Sequence, residues 1–279
     1  MKRAGIIGWP VSHSLSPVLH GYWLKQYGID GEFVRLPARP EDFLTVVARA
    51  RGEGFSGLNV TVPHKEAAFR VTETRDLGAQ ICGAVNLLVF GEKLEGRNTD
   101  HVGLRKSLEE AMGENSLTGK TAILLGAGGA ARGAVLALAE MGAAQIHILN
   151  RHAVRAESLA HAMTINVKAK LVPGPLAAYS AIAQDAGLLV NASSAGMTGN
   201  EKLQLALSPL PVSAPVCDLV YNPLETELLK DAAARGHKTV DGLGMLMHQA
   251  VPSFEAFYGR KPEVTPGLRA ALVAALDGP

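Results

Sequence analysis

Three short polar clusters near the start of the chain hold the side chains best suited to chemistry. They are Gly8-Trp9-Pro10-Val11-Ser12-His13-Ser14-Leu15-Ser16-Pro17, then Asn59-Val60-Thr61-Val62-Pro63-His64-Lys65, then Asn98-Thr99-Asp100. Together they supply hydroxyls, amides, one ammonium (Lys65) and one carboxylate (Asp100). That inventory suits a polyol bearing an acid group, with the ammonium and carboxylate available for proton transfer. Each cluster follows an apolar stretch, so in an open sheet the side chains converge at the carboxyl edge of the strands, where ligands bind. The same residues have plainer uses: Ser14, Ser16 and Asp100 as helix caps, Thr61 as a strand residue, Lys65 as a solvated lysine at a helix start. His13 and His64 are tempting acid–base groups, but a neutral ring beside Lys65 adds little, and both are read as structural.

A second kind of chemistry is written in Ile123-Leu124-Leu125-Gly126-Ala127-Gly128-Gly129-Ala130-Ala131-Arg132, an apolar strand running through a glycine-rich turn into an alanine-rich helix. Gly126 permits the tight turn, Gly128 lets the backbone approach a pyrophosphate, and Ala131 keeps the helix close to the strand. The free N–H groups of the helix start, with Gly126, Ala127, Gly128, Gly129 and Ala130, then cradle the anion. The next strand ends Ile146-His147-Ile148-Leu149-Asn150-Arg151-His152, where such folds read the ribose. A carboxylate there would accept from a 2′-hydroxyl; Asn150 and Arg151, with Arg155 one turn on, instead suit a 2′-phosphate. The expected cofactor is NADP(H) rather than NAD.

Alternating strands and helices must position these groups. Strands are expected at 3–8, 32–36, 57–61 and 85–90, with a helix over 17–27 that has Ser16 as N-cap and Pro17 at its first position. A Gly/Asn/Ser/Thr-rich stretch at 113–119 precedes a second series: strands 121–125, 145–149, 188–191, 216–218 and 238–240, helices 130–141 and 154–162. Repeated βα units imply a parallel sheet covered on both faces. Helices at 243–258 and 266–276 have no strand to lead into and are expected to pack back on the first domain; Pro252 should kink the first near His248, or split it.

Bulk properties narrow the partners. The 279 residues are 47% hydrophobic and 19% charged, enough apolar material for two medium cores. A net charge of +1 gives no field to attract nucleic acid or an anionic membrane, so any anion recognition is local. The two cysteines, Cys82 and Cys217, form no CxxC and complete no metal set; reduced thiols, no metal and a cytoplasmic location are expected. No apolar run approaches the ~20 residues needed to span a bilayer, and the opening MKRAGIIGWP reads as a strand rather than a signal peptide.

The polar clusters, in this order and joined to the nucleotide loop, resemble shikimate dehydrogenase nearly end to end. The likeness continues in Gly83-Ala84-Val85-Asn86, Asn191-Ala192-Ser193-Ser194-Ala195-Gly196-Met197, Asp218-Leu219-Val220-Tyr221-Asn222-Pro223 and Gly242-Leu243-Gly244-Met245-Leu246-Met247-His248-Gln249. It implies an α/β fold of two domains. One, 1–101 with 243–279, is an α/β/α substrate and catalytic domain on a mixed, mainly parallel sheet; the other, 102–242, is a Rossmann-like NADP-binding domain. By the resemblance, Ser14 and Ser16 bind a substrate carboxylate with help from Tyr221. Asn59, Thr61, Asn86, Asp100 and Gln249 read ring hydroxyls, and Lys65 with Asp100 forms the catalytic pair. Ala192, Ser193, Met197, Leu219, Gly242 and Met245 join the cofactor site, with Gly242 and Met245 against the nicotinamide. On residue type alone, Tyr221 and Gln249 serve equally as packing or interdomain contacts, although Gln249 lies one helical turn beyond Met245. Leu87 and His152 depart from the family's common threonines. The implied partner is a small metabolite, shikimate or 3-dehydroshikimate, bound as substrate, with the chain a monomer or homodimer; a quinate or broader polyol dehydrogenase and a non-catalytic NADP-binding sensor are the competing readings.

Overall fold

The computed structural model describes residues 1–276. The chain divides into two compact units, Met1–Asp100 with the chain from Leu246 onward, and His101–Met245.

The first unit begins β1 (Lys2–Gly8), α1 (Ser16–Tyr27), β2 (Gly31–Pro37), α2 (Phe43–Gly52), β3 (Phe55–Val60), α3 (Lys65–Val71), β4 (Thr74–Arg75), α4 (Leu77–Cys82), β5 (Leu87–Phe90) and β6 (Leu94–Arg97). Its sheet runs in the order β2-β1-β3-β5-β6-β4. Strand β1 is parallel to β2 and β3, whereas β5 is antiparallel to β3 and β6; β4 pairs parallel with β6. Ala4 to Gly8 are all buried because the centre of the sheet is covered on both faces. One face packs on α2 through Phe43, Val46, Val47 and Ala50, which meet Leu58, Val60 and Leu88.

Helix α5 (Asp100–Met112) leads into β7 (Thr121–Leu125), α6 (Gly129–Glu140), β8 (Gln145–Asn150), α7 (Ala153–Met163), β9 (Lys170–Pro175), α8 (Tyr179–Ile182), β10 (Ala186–Asn191), β11 (Val216–Asp218), α9 (Glu227–Ala234) and β12 (Thr239–Val240). The six strands are ordered β12-β11-β10-β7-β8-β9 and every pairing is parallel. Counted from β7, the sheet grows one way through β8 and β9, then the other through β10, β11 and β12. The reversal falls between β7 and β10, and in open α/β sheets the crevice outside the strand ends at such a point is where ligands bind.

Helices α10 (Gly242–Tyr258) and α11 (Pro266–Leu276) close the described chain. From Leu246 onward they belong to the first unit, where Phe254 meets Trp23 edge-on at 5.3 Å and the Trp23 indole N–H donates to the Glu263 carbonyl at 2.9 Å. At about 25 cal/mol per Å² and 150–250 Å² per ring, each such aromatic contributes about 4–6 kcal/mol of burial.

Local expectations needed correction at several places. Helix α1 starts at Ser16 itself, and Leu15 occupies the cap position without a side-chain bond. The hydroxyl that meets the helix start is that of Ser14, which accepts from the Ser16 N–H at 3.2 Å. Pro252 does not split α10, which runs unbroken from Gly242 to Tyr258; proline removes one donor, and here the packing of Phe254 and Phe257 holds the helix on. Strand β3 stops at Val60, leaving Thr61 just beyond it, and β5 begins at Leu87 because the Val85 N–H is given to the Lys65 carbonyl instead. Strands β4, β6 and β9 go beyond the sequence expectation. In β9 the sequence KLVPGP reads as a turn, yet it is the edge of its sheet, where proline is tolerated. Lys170 gives its N–H to Ala144 on the β8 side, so by alternation Pro173 and Pro175 face outward, where no ladder bond is lost.

Candidate functional site

In the first unit, the ends of β3 and β6 and the starts of α3 and α5 deliver one connected polar network. Lys65 opens α3 and Asp100 opens α5; the ammonium donates to Asp100 Oδ2 at 2.6 Å, with side chains 13% and 4% exposed. The other carboxylate oxygen, Oδ1, accepts from Asn86 Nδ2 at 2.8 Å. Asn86 Nδ2 also lies 2.9 Å from Thr99 Oγ1 and 3.2 Å from Gln249 Oε1, while Asn86 Oδ1 accepts the Thr99 N–H at 2.8 Å. Lys65, Asn86, Asp100 and Gln249 are therefore brought together. Removing one partner from an ion pair this buried costs about 3–5 kcal/mol, so the geometry is strongly enforced.

Other expected residues sit around this core in different ways. Asn59 is 5% exposed and its Nδ2 is directed to Ser253 Oγ at 2.7 Å and the Asn86 carbonyl at 3.3 Å, so it braces the network from beneath. Thr61 is half-buried at the β3 end, and its carbonyl accepts the His64 N–H. Ser14 and Ser16 are buried at the start of α1, and the Ser14 carbonyl accepts from Arg35 at 2.7 Å. His64 is a structural group: its Nε2 lies 2.8 Å from the Ala38 carbonyl and its ring stacks on Phe43 at 4.8 Å. His13 is exposed.

Three braces have no separate role in the sequence reading: Asn98 and Thr99, seen only as part of the third polar cluster, and Ser253. Asn98 Oδ1 accepts the Asp100 N–H at 3.1 Å, and its Nδ2 donates to the Ala84 carbonyl. Thr99 Oγ1 donates to the Gln249 carbonyl at 2.8 Å, tying α10 to the network. Asn98 and Thr99 stand beside Asp100, so adjacency was a usable signal; for Ser253 there was none.

The second unit offers a different kind of site. Gly126 follows β7 with φ +110°, and a Cβ there would stand 3.0 Å from the Ala192 carbonyl and the Ser193 nitrogen. Beside it, a Cβ on Gly128 would meet nothing within 4 Å, so the surface over the start of α6 is open to a ligand's approach. An open glycine turn feeding a 12-residue helix fits a pyrophosphate. At the next strand end, Asn150 Nδ2 donates to the His152 carbonyl at 3.0 Å. Arg151 and Arg155 are exposed at the start of α7, and Arg151 pairs with Glu201 at 2.9 Å. Exposed pairs are worth about 0–1 kcal/mol, so a phosphate displaces Glu201 at little cost. These residues fit a dinucleotide with a 2′-phosphate. Ala192, Ser193, Met197, Leu219 and Tyr221 lie in the loops after β10 and β11; Gly242 and Met245 lie in the first turn of α10. Among the described residues no group of three or more His, Cys, Asp or Glu is placed to hold a metal, and no helix is long and apolar enough to cross a membrane.

A mixed sheet carrying an ion-paired polar network, and a parallel sheet carrying a glycine turn at its reversal, define a two-domain α/β protein with a dinucleotide-binding half. Residues 6–88 match the family model of the shikimate dehydrogenase substrate binding domain, and residues 107–203 that of shikimate / quinate 5-dehydrogenase. The chain is 48% identical over 276 residues to the NADP(+) shikimate dehydrogenase of Mesorhizobium japonicum, covering 99% of this chain and 97% of the relative. The chain belongs to the shikimate dehydrogenase family. Among solved structures, the Thermus thermophilus shikimate 5-dehydrogenase, in complex with NADP(H) and shikimate, superposes with a TM-score of 0.84 at 33% identity, covering 99% of each chain. The Corynebacterium glutamicum quinate dehydrogenase, in complex with NAD, does so with a TM-score of 0.88 at 29% identity, covering 98% of this chain and 99% of that one.

Proposed function

We propose that the protein catalyses the reversible reduction of 3-dehydroshikimate to shikimate with NADP(H), in the cytoplasm, as a monomer or homodimer. The observation that carries this reading is the Lys65–Asp100 pair, 2.6 Å apart and backed by Asn86. Met1–Asp100 with the C-terminal helices serves as the substrate and catalytic domain, and His101–Met245 as the NADP domain.

When bound, NADPH supplies the hydride to the ring ketone. The Lys65 ammonium stabilises the negative charge that gathers on the carbonyl oxygen and then gives it a proton. Asp100 orients that ammonium and accepts from the neighbouring ring hydroxyl. Asn86, Thr61 and Gln249 read further hydroxyls, Ser14 and Ser16 hold the substrate carboxylate with Tyr221, and Asn59 keeps Asn86 in place. The loop Gly126 to Ala130 takes the pyrophosphate; Asn150, Arg151 and Arg155 take the adenosine phosphate; Ala192, Ser193, Met197, Leu219, Gly242 and Met245 border the remainder of the cofactor. Two buried, unbridged cysteines are in keeping with a reducing compartment.

The test is NADPH oxidation on addition of 3-dehydroshikimate, run beside NADH and beside quinate in the oxidative direction. NADPH-linked turnover with 3-dehydroshikimate is expected; its absence removes the reading, and equal turnover of quinate replaces it with a broader polyol dehydrogenase.

A further inference from the structure

The second unit buries a carboxylate that the mechanism above does not use. Asp218, the last residue of β11, is 0% exposed. Its oxygens face neutral donors. Oδ1 accepts from Asn191 Nδ2 at 2.9 Å and from the Val220 N–H at 3.0 Å, and Oδ2 accepts from Thr226 Oγ1 at 2.7 Å. Burial pushes the carboxyl up to about 6 against the pull of these bonds.

The bonds run outward from Asp218 into both loops that border the cofactor. Because Asp218 takes the Asn191 Nδ2, Asn191 Oδ1 is turned the other way, where it accepts from the Ser193 N–H at 3.1 Å and the Ser193 hydroxyl at 2.7 Å. Ser193 Oγ in turn accepts the Ala195 N–H at 3.3 Å. The Val220 contact turns the chain as it leaves β11, and the Leu219 N–H ties back to the Asn191 carbonyl at 2.9 Å. Both held segments are walls against glycines. The Ala192–Ser193 peptide stands 3.0 Å from a Cβ position on Gly126, and the Leu219 carbonyl oxygen 2.3 Å from one on Gly242. A shift of either segment toward its glycine has no room, and a shift away opens the cofactor's floor.

We infer that Asp218 is a positioning residue for the NADP site: one buried carboxylate fixes the amide of Asn191 and sets the loops after β10 and β11 against Gly126 and Gly242. This rests on the functional reading above. Asn191 Nδ2 and the Val220 N–H can only donate and both lie on Oδ1, whereas the Thr226 hydroxyl on Oδ2 can donate or accept, so an amide of the same shape can keep these contacts and only loss of the side chain removes them.

Asp218→Ala is the direct test, read by calorimetric NADPH binding and by steady-state kinetics. NADPH Kd and KM are expected to rise about tenfold or more, KM for 3-dehydroshikimate to move less than twofold, and kcat at saturating NADPH to be largely kept. Asn191→Ala cuts the same path one step on and should give a similar rise, with the double variant no worse than the weaker-binding single. A folded Asp218→Ala protein with unchanged NADPH affinity, or one that loses kcat alone, overturns the inference. If Asp218→Ala does not fold, Asn191→Ala decides: raised NADPH Kd supports the role and an unchanged value overturns it. Failure of the functional reading looks different, since the wild-type protein itself would then not turn over 3-dehydroshikimate with NADPH.

Discussion

The two units solve the problem of holding a ligand in opposite ways. In the first, the proposed site is made of side chains that hold one another: Lys65 on Asp100, Asp100 on Asn86, Asn86 on Thr99. In the second it is made of backbone turns and exposed cations: the Gly126 loop, and Arg151 and Arg155 at the start of α7. A site of interlocked buried side chains is preorganised, and damage to it should appear in the chemical step. A site of backbone turns and surface charge grips its ligand away from the reacting atoms, and damage should appear as weakened binding.

That contrast is open to direct attack. Lys65→Ala should lower kcat by about 10²- to 10⁴-fold while the substrate KM moves only a few-fold, because the ammonium's contact strengthens in the transition state. Near-normal turnover in the purified variant would refute the role of Lys65. Arg151→Asp should cut the NADP over NAD preference on the order of a hundredfold, taking about 1.5–3 kcal/mol for each charged hydrogen bond lost, with kcat for saturating cofactor little changed. An unaltered ratio of kcat/KM for the two cofactors would mean that the arginine is surface decoration.

A third contrast separates the units by pH. His20, fully buried and stacked on Phe33 at 3.9 Å, is held down to about 3 by burial. An unfolded histidine takes its proton near pH 6.5, so this contribution to the first unit's stability is full above that value. It is lost as pH falls toward 3, at up to about 1.4 kcal/mol per pH unit. Asp218 works in the other direction. Its folded carboxyl titrates near 6, against about 4 for an unfolded aspartate, so its contribution to the second unit is present at low pH and lost as pH rises through that window. Hydrogen exchange followed from pH 7 to pH 4 should therefore show the first unit loosening ahead of the second, and His20→Phe should flatten the first unit's slope. Equal slopes in wild type and variant would show that the imidazole contributes nothing.

Legibility in the sequence followed the range of the interactions. The strand, turn and helix around Gly126 were readable because they are local; Lys65 and Asp100 were legible as the one ammonium and one carboxylate of the three polar clusters, and their pairing came from the family resemblance. What escaped depended on distant partners. Ser14 rather than Ser16 offers its oxygen to the α1 start, a difference of geometry within one turn. Ser253 braces Asn59 of β3 from the distant helix α10, and β6, with two charged residues in LEGR, is a strand only because β5 lies beside it. Pro252 carried a breaking signal that the buried rings of α10 overrode.

Strand β9 has a further consequence. An exposed row of N–H groups at a sheet edge is a template on which another chain can add itself. With Pro173 and Pro175 turned outward, that row is missing two of its donors, and at the opposite edge β12 has only two residues, Thr239–Val240. Neither margin offers a foreign strand much to zip onto, so the irregularity that disguises β9 also guards the folded sheet against aggregation.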